Sequence, residues 1–325
     1  MNRLPAPREH FPRAPGIPAS EDATLNRLRL SALSLVLCLA TAAVAQAPLP
    51  APGFHHIHLN SIDPEAAADF YAAQFPSSTR TTFAGLPALK TGSVYLLFNK
   101  VKLPPATAPQ TALWHFGWQV ADIHEKLALL KQHPGVRLVP LYIANEAGAV
   151  VPAEIAEAKA PNRGGFAFLA GPDGAIIEYQ GDLATERLNH LHMFQQNPFC
   201  AELWYHQHLN APSKSAYTEA SCKAPRPGPS WPAFDPGGMI RQQAGVAFDE
   251  ISVTWHVQQS DTPLAPSRGH LLDHYALSVS NLDAWIAKLR RERVRFLTKT
   301  YKLGSLRAVM IEGPSREAIE LVELP

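Results

Sequence analysis

Three histidines stand close together in the segment FHHIHLNSID, which covers residues 54–63. An imidazole can hold a transition-metal ion through a ring nitrogen, or it can move a proton near neutral pH. His56 and His58 lie two positions apart in a run that alternates polar and apolar residues, which predicts a β-strand with both rings on one face. The segment therefore points to a site on a strand, either for a metal ion or for proton transfer.

The histidine recurs at four matched places along the chain. Each one is followed seven residues later by an Asp or Asn, in the pairs His56 and Asp63, His115 and Asp122, His190 and Asn197, and His274 and Asn281. Apolar residues at helical spacing follow each Asp or Asn, which predicts a helix with that residue as its N-cap. Further alternating runs predict additional strands after each helix. The sequence thus predicts an α+β fold built from four β-α-β-β-β modules.

Two glutamates complete the pattern. Glu178 follows Pro172 by six residues in GPDGAIIEY, and Glu320 follows Pro314 by six residues in GPSREAIEL. Strand parity places each carboxylate opposite its apolar neighbours, on the polar face. Two neutral imidazoles and one carboxylate form a facial triad that leaves coordination positions open for Fe(II), Mn(II) or Zn(II). The predicted triads are His56, His115 and Glu178 in the first half and His190, His274 and Glu320 in the second half.

Further histidines lie close to these predicted ligands. His58 and His192 follow the first histidine of each triad by two residues, and we predict that they act as a catalytic acid or base. The alternative is that each lines a cavity and bonds to a neighbouring backbone group. His55 has the opposite parity and is expected to face the loop before the strand. His256, in VTWHV, is expected at the surface, with a fourth-ligand role as the alternative.

These residues and motifs resemble the vicinal oxygen chelate superfamily, which includes glyoxalase I, bleomycin-resistance proteins and type I extradiol dioxygenases. The resemblance covers about 54 to 324 and is carried best by HIHLNSID, DFY and GPDGAIIEY. It implies that βαβββ modules pair into incomplete barrels around a divalent metal, with ligands at the same six positions. We therefore expect one domain over 54–183 and a second over 187–325, which includes a Pro-rich insertion at about 209–246.

The resemblance also implies what the site could do. Glyoxalase I has an additional glutamate on the last strand of its first module, and the matching stretch here, SVYLLFN, carries no acid. This favours a dioxygenase that cleaves rings over a glyoxalase-like lyase or isomerase. The alternative is a metal-independent protein that sequesters a small molecule, as the bleomycin-resistance members do.

Composition and the N-terminus narrow the setting of this chemistry. The chain has 325 residues and a formal net charge of +1, and it has no basic stripe, so we expect a small-molecule substrate and no nucleic acid. Residues 1–45, with the apolar run SALSLVLCLATAAVA, are typical of a signal peptide, and a Pro-rich linker follows at 46–53. A permanent membrane anchor is the weaker alternative, because the apolar run is short for a span. We predict a periplasmic or secreted protein without a membrane span, in which Cys200 and Cys222 can form a disulfide.

Overall fold

The first strand of each module lies in the interior of one of the two larger β-sheets. The computed structural model describes residues 48–132, 136–138, 142–144, 150–152, 166–213, 218–223, 244–258 and 262–325. The predicted signal peptide and most of the Pro-rich insertion lie outside these described residues. No helix in the described ranges is long and apolar enough to cross a membrane.

The described elements follow the order of the four predicted modules; the first and fourth have the predicted β-α-β-β-β pattern, whereas four described strands follow the helix of the second module and two follow the helices of the third. The strands are β1 (Gly53–Ser61), β2 (Thr79–Phe83), β3 (Leu86–Thr91), β4 (Val94–Lys100), β5 (Leu113–Gln119), β6 (Tyr142–Ala144), β7 (Val150–Pro152), β8 (Phe166–Ala170), β9 (Ile176–Gln180), β10 (Arg187–Gln195), β11 (Ala244–Phe248), β12 (Ile251–Val257), β13 (Leu272–Val279), β14 (Tyr301–Leu303), β15 (Leu306–Glu312) and β16 (Ala318–Glu323). The helices are α1 (Pro64–Gln74), α2 (Ile123–Lys131), α3 (Pro198–Leu209), α4 (Glu219–Lys223) and α5 (Leu282–Arg291). The α+β class is confirmed.

The four Asp and Asn residues of the repeat are helix N-caps, as the sequence predicts. The side chain of Asp63 accepts a hydrogen bond from the first turn of α1, and Asp122, Asn197 and Asn281 do the same for α2, α3 and α5. Such a cap satisfies backbone N–H groups that have no partner within the helix. The constant seven-residue spacing is therefore the number of residues from the histidine on each strand to the N-cap of the helix that follows it.

The strands assemble into an eight-stranded sheet, a six-stranded sheet and a two-stranded ribbon. The eight-stranded order is β14-β15-β16-β13-β1-β4-β3-β2, the six-stranded order is β11-β12-β10-β5-β9-β8, and β6 pairs with β7. In the larger sheet β1 is antiparallel to β13, and in the smaller one β10 is antiparallel to β5. The first module therefore shares a sheet with the fourth, and the second shares a sheet with the third.

This arrangement corrects the expected order of pairing. Each predicted domain range, 54–183 and 187–325, contributes strands to both main sheets. Elements that follow one another in the chain are usually neighbours, which favours pairing in chain order. Here β1 pairs with β13, so the first module is joined to the fourth, which is not next to it in the chain. In the other sheet β5 pairs with β10, and this ladder crosses the expected domain boundary. Alternation along one strand does not encode the partner of that strand.

Apolar residues on the opposite strand faces form the core beneath the helices. Ile57 and Leu59 of β1 are buried, and they alternate with the histidines of the same strand. Phe75, at the end of α1, stacks on Trp118 with ring centroids 3.7 Å apart and also packs against Tyr179. Tyr179 is therefore a packing residue of this core. This core holds the histidine-bearing strands in fixed register.

Candidate metal centres

The cluster that we call centre 1 lies where β1, β13 and β16 run side by side. His56 and His58 project from β1, His274 from β13 and Glu320 from β16. His56 Nε2 lies 3.2 Å from Glu320 Oε2, and His274 Nε2 lies 3.8 Å from the same oxygen. His56, His274 and Glu320 are buried, while His58 is partly exposed. Centre 1 thus gathers three imidazoles and one carboxylate.

The cluster that we call centre 2 has the same composition, where β5, β10 and β9 are neighbours. His115 projects from β5, His190 and His192 from β10 and Glu178 from β9. Glu178 Oε2 lies 2.8 Å from His115 Nε2, 3.4 Å from His190 Nε2 and 3.7 Å from His192 Nδ1. One carboxylate oxygen therefore faces three imidazoles.

The six predicted ligands all lie in these two centres, but in different groups from those expected. The structure brings His56 to His274 and Glu320 instead of to His115. It brings His190 to His115 and Glu178. His56 and His190 thus exchange places relative to the predicted triads, because β1 pairs with β13 and β10 pairs with β5.

The residues directly across each ladder are equivalent in the two centres. In centre 1, His58 lies opposite His274 and His56 lies opposite Ala276. In centre 2, His192 lies opposite His115 and His190 lies opposite Gly117. Residues directly opposite in an antiparallel pair share a face and approach closely. A small residue opposite the first histidine leaves room for its ring in both centres.

Outer contacts orient the ligands of centre 1. His274 donates from Nδ1 to Asp273 Oδ1 at 2.6 Å, which leaves Nε2 facing the centre with its lone pair. Tyr301 donates its hydroxyl to Glu320. His55 Nδ1 lies 2.7 Å from His56 Nδ1 and is buried, so the expectation that His55 faces the loop is wrong. A register shift between residues 54 and 56 of the ladder displaces this ring from simple alternation.

Sequence reasoning missed Asp273 and Tyr301. Asp273 is adjacent to His274 in the chain, and this acid–histidine neighbour is the signal that would have identified it. Tyr301 lies on β14, at the edge of the sheet, and only the pairing of β14, β15 and β16 brings it to Glu320. No local pattern in the sequence marks that contact.

The outer contacts of centre 2 are neutral. Asn189 Oδ1 accepts a hydrogen bond from His190 Nδ1 at 2.8 Å, so the ring presents Nε2 to the centre. His256 of β12 lies beside the centre, with its ring centroid 4.7 Å from that of His192. It is only 6% exposed, so the expectation of a surface position is wrong. The parallel ladder of β10 and β12 turns it inward.

Burial keeps most of these imidazoles neutral. Removal from water lowers the pKa of His56 well below its ordinary value, and the neighbouring histidines lower it further. Burial and the nearby His274 lower the pKa of His58 to about 3. Burial also lowers the pKa of His115, although Glu178 opposes the shift. A neutral imidazole keeps the lone pair that a metal ion requires.

The pKa values of two groups shift in the direction opposite to the effect of burial. Burial would raise the pKa of Glu178, but His190, His115 and His192 together hold it well below its usual value, so the carboxylate is charged. Burial would lower the pKa of His274, but its bonds to Asp273 and Glu320 outweigh this and raise it. Centre 1 therefore contains more negative charge around its histidines than centre 2.

The donor atoms fit a divalent metal ion. Among the described residues, several buried donors in the centres have no hydrogen-bond partner, namely His56 Nε2, His58 Nδ1, His190 Nε2, His274 Nε2 and Glu320 Oε2. Buried polar atoms without partners cost free energy, and one cation in each centre would satisfy the four atoms of centre 1 and His190 Nε2 of centre 2. The ligand atoms of His56, His58 and His274 lie within 4.8 Å of one another, as do those of the four residues of centre 2. The residues therefore suit a metal site.

Comparison with known proteins identifies the fold. No protein-family model matches the sequence, and comparison with curated proteins gives no match. The structure is similar to glyoxalase I from Zea mays, with a TM-score of 0.54 and 13% identity over 84% of this chain and 92% of that chain. It is also similar to a Bacillus subtilis protein described as a candidate dioxygenase, with a TM-score of 0.54 and 10% identity over 86% of this chain and 87% of that chain. This chain has the fold of these two proteins, which is the fold that the resemblance to the vicinal oxygen chelate superfamily implies.

Proposed function

We propose that this protein is a divalent-metal enzyme that binds a small substrate through two adjacent oxygen atoms. The observation that carries the proposal is the pair of clusters in which three imidazoles and one carboxylate meet, and in which most of the donor atoms of centre 1 have no hydrogen-bond partner among the described residues. A ligand-binding cavity needs no such set, since each donor left unpaired costs free energy. Fe(II), Mn(II) and Zn(II) are the ions that these ligand types suit best.

Each centre contains residues that would bind the metal ion and neighbouring residues that orient these ligands. In centre 1, His56, His274 and Glu320 would hold the ion, and in centre 2 His115, His190 and Glu178 would do so. A divalent ion bound there supplies a Lewis acid that polarises substrate oxygens. Asp273 and Asn189 fix the tautomers of their neighbouring histidines so that Nε2 stays free of a proton. These contacts preorganise the ligands before substrate binds.

Centre 2 also has a further buried histidine beside its ligands. His256 is neutral at physiological pH because burial lowers its pKa to about 3, and neither ring nitrogen has a hydrogen-bond partner among the described residues. Its ring contacts Trp114, whose indole stacks on Phe194. These rings pack against one side of the centre, and a histidine with so low a pKa is a weak proton acceptor, so His256 covers the centre rather than acting as a base.

Within this class we propose a dioxygenase-like reaction in preference to a lyase or isomerase. Two histidines and one carboxylate are the ligand set of non-haem Fe(II) oxygenases. The strands that would carry a second carboxylate, β4 (VYLLFNK) and β12 (ISVTWHV), contain no acidic residue. A catechol-type aromatic with neighbouring hydroxyls presents the adjacent oxygens that the proposal requires.

We also propose that the protein is exported. The structure contains a disulfide between Cys200 of α3 and Cys222 of α4. Disulfides persist in oxidising compartments and are rare in the cytosol, which supports a periplasmic or secreted location. Mass spectrometry of the N-terminus of the mature protein tests this. Cleavage after about residue 45 would support export, and a cytosolic chain that keeps Met1 would overturn it.

Metal analysis is the experiment that tests the proposed function. We expect about two equivalents of bound metal in the purified protein, and about one in each of His56→Ala and His190→Ala, because each variant empties one centre. Glu320→Ala and Glu178→Ala then identify the centre that turns over substrate. If the wild-type protein binds no metal even after reconstitution, the metal-enzyme proposal is overturned and a ligand-sequestering role takes its place.

A further inference from the structure

His58 and His192 hold equivalent positions in the two centres. Each lies directly across the antiparallel ladder from a predicted ligand, His58 from His274 and His192 from His115. The ring centroids are 4.5 Å apart in the first pair and 4.7 Å apart in the second. Both histidines thus face the ligands themselves.

The second histidine also stands close to the first one on its own strand. The ring centroids of His190 and His192 are 4.4 Å apart, and those of His56 and His58 are 6.0 Å apart. In a strand, residues two apart share a face, and here that face is turned to the metal-ligand cluster. The His-x-His motif therefore directs two rings toward one point from the same strand.

The hydrogen-bonding state of these rings argues against the cavity-lining interpretation. A cavity-lining histidine would bond to a neighbouring backbone group, but His58 Nδ1 is buried and has no hydrogen-bond partner in the described part of the chain. His192 Nδ1 lies 3.7 Å from Glu178 Oε2, too far for a hydrogen bond and close enough for both atoms to contact one ion. Each ring thus offers a donor atom to the centre.

We propose that both centres are three-histidine, one-glutamate sites in which His58 and His192 are metal ligands. The four residues are His56, His58, His274 and Glu320 in centre 1, and His190, His192, His115 and Glu178 in centre 2. Metal–nitrogen bonds of about 2.0–2.1 Å bring ligand atoms on one ion to within about 4 Å of one another. The ligand atoms of the three histidines of centre 1 and of all four residues of centre 2 lie within 4.8 Å of one another, and Glu320 Oε2 lies 3.2 Å from His56 Nε2, so small side-chain adjustments suffice. The inference rests on the proposed metal dependence.

A four-ligand site changes what the centre can do. A facial triad on a six-coordinate ion leaves three positions open, whereas four protein ligands leave two. Two open positions suffice for a substrate that chelates through adjacent oxygens, but they leave none for a further ligand such as dioxygen unless one protein ligand departs. The partly exposed His58 and His192 are the members of each set with the freest access to solvent, and they are the ones best placed to depart.

Metal affinity of single variants tests this inference. We measure Zn²⁺ binding by competition with a chromophoric chelator in the wild-type protein, His58→Ala, His192→Ala and the control His206→Ala, which removes an exposed histidine of α3. Partners outside the ligand set are already worth about 10- to 100-fold in affinity, so each ligand variant should weaken one of the two sites by at least about 100-fold. The second site should keep wild-type affinity and thereby report that the variant is folded.

Cobalt substitution supplies a second readout. Loss of an imidazole should change the visible absorption of Co²⁺ in His58→Ala and in His192→Ala, while His206→Ala keeps the wild-type spectrum. Two sites of wild-type affinity and an unchanged spectrum in His58→Ala and His192→Ala would overturn the inference and leave the proposed function intact. A wild-type protein that binds neither Zn²⁺ nor Co²⁺ would overturn both.

Discussion

Gly117 lies directly across the β5–β10 ladder from His190, and the histidine ring occupies the space that a side chain at position 117 would need. A Cβ built on Gly117 would lie 2.3 Å from His190 Nε2 and 2.9 Å from the backbone oxygen of Glu178. Both distances are shorter than real Cβ atoms show. The equivalent residue opposite His56 in centre 1 is Ala276. The ring of His190 therefore requires a residue without a side chain opposite it, whereas His56 tolerates the methyl group of an alanine.

We predict that Gly117→Ala empties centre 2 alone. The added methyl group must displace His190 or spread the strands, which costs about 1–3 kcal/mol of stability and moves a ligand nitrogen away from Glu178. Bound metal should fall from about two equivalents to about one. The matched control is Ala276→Gly, which creates space in centre 1 and should keep both equivalents. Two equivalents of metal in Gly117→Ala would contradict the assignment of His190 as a ligand.

The second prediction concerns the charge of the outer contacts. Asp273 accepts from His274 Nδ1 at 2.6 Å and is itself held by Arg268 and by the backbone of Gly269, whereas the matching contact in centre 2 is the neutral Asn189. A carboxylate makes the histidine a stronger ligand. Centre 1 should therefore fill first in a metal titration of the metal-free protein.

Exchange of these outer groups checks the argument in both directions. Asp273→Asn should weaken metal binding at centre 1 by about 10- to 100-fold. Asn189→Asp gives centre 2 the same kind of partner and should tighten binding there. Isothermal titration with Zn²⁺ resolves the two events, and His56→Ala or His190→Ala assigns each event to its centre. Equal loading of both centres in the wild-type protein would refute the predicted order.

Local features of the site could be read from the sequence because they depend on short-range geometry. The cap at Asp63 follows from side-chain bonding within one helical turn, and the inward position of Glu178 follows from strand parity. The superfamily resemblance supplied the barrel arrangement, which the similar structures confirm. Residue type and spacing thus identified the six candidate ligands, whose metal-binding role remains a prediction.

The grouping of those ligands depends on contacts between distant strands. Whether His56 meets His115 or His274 is decided by the edge to which β1 pairs, and both candidate partners have similar strand patterns. His55 and His256 were misplaced for a related reason. A register shift displaces His55 from alternation, and the ladder to β10 carries His256 inward. Such effects arise from tertiary pairing, which single-strand patterns do not contain.

The third prediction concerns a buried carboxylate on the other side of the large sheet. Glu317 accepts hydrogen bonds from Tyr205 at 2.7 Å and from the backbone of Ser315 at 2.7 Å, and Tyr205 also bonds to Tyr275. Burial raises the pKa of Glu317 to about 7, although these hydrogen bonds oppose the shift. The folded protein thus holds a proton that the unfolded chain, with a pKa near 4.5, has released.

This difference makes folding stability depend on pH. The contribution of Glu317 is fully present below pH 4.5 and is lost as pH rises through about 7, which amounts to about 3 kcal/mol by pH 9. Glu317→Gln should remove this loss. The unfolding free energy of the variant, relative to that of the wild-type protein, should therefore increase from pH 5 to pH 9. Urea unfolding at several pH values measures the difference. Glu125→Gln, which removes an exposed carboxylate of α2, is the control and should follow the wild-type curve.

The fourth prediction concerns the disulfide between Cys200 and Cys222, which joins α3 to α4. It closes a loop with a sequence separation of 22 residues, and a loop of that size is worth about 3 kcal/mol through the entropy of the unfolded chain. Cys222→Ser and the reduced wild-type protein should both lose about 3 kcal/mol of unfolding free energy and should therefore unfold at lower urea concentration. Adding reductant to Cys222→Ser should change nothing further, because no disulfide remains in the mature chain. A wild-type unfolding curve that is insensitive to reductant would show that the bond does not form in solution, and it would remove the structural support for export.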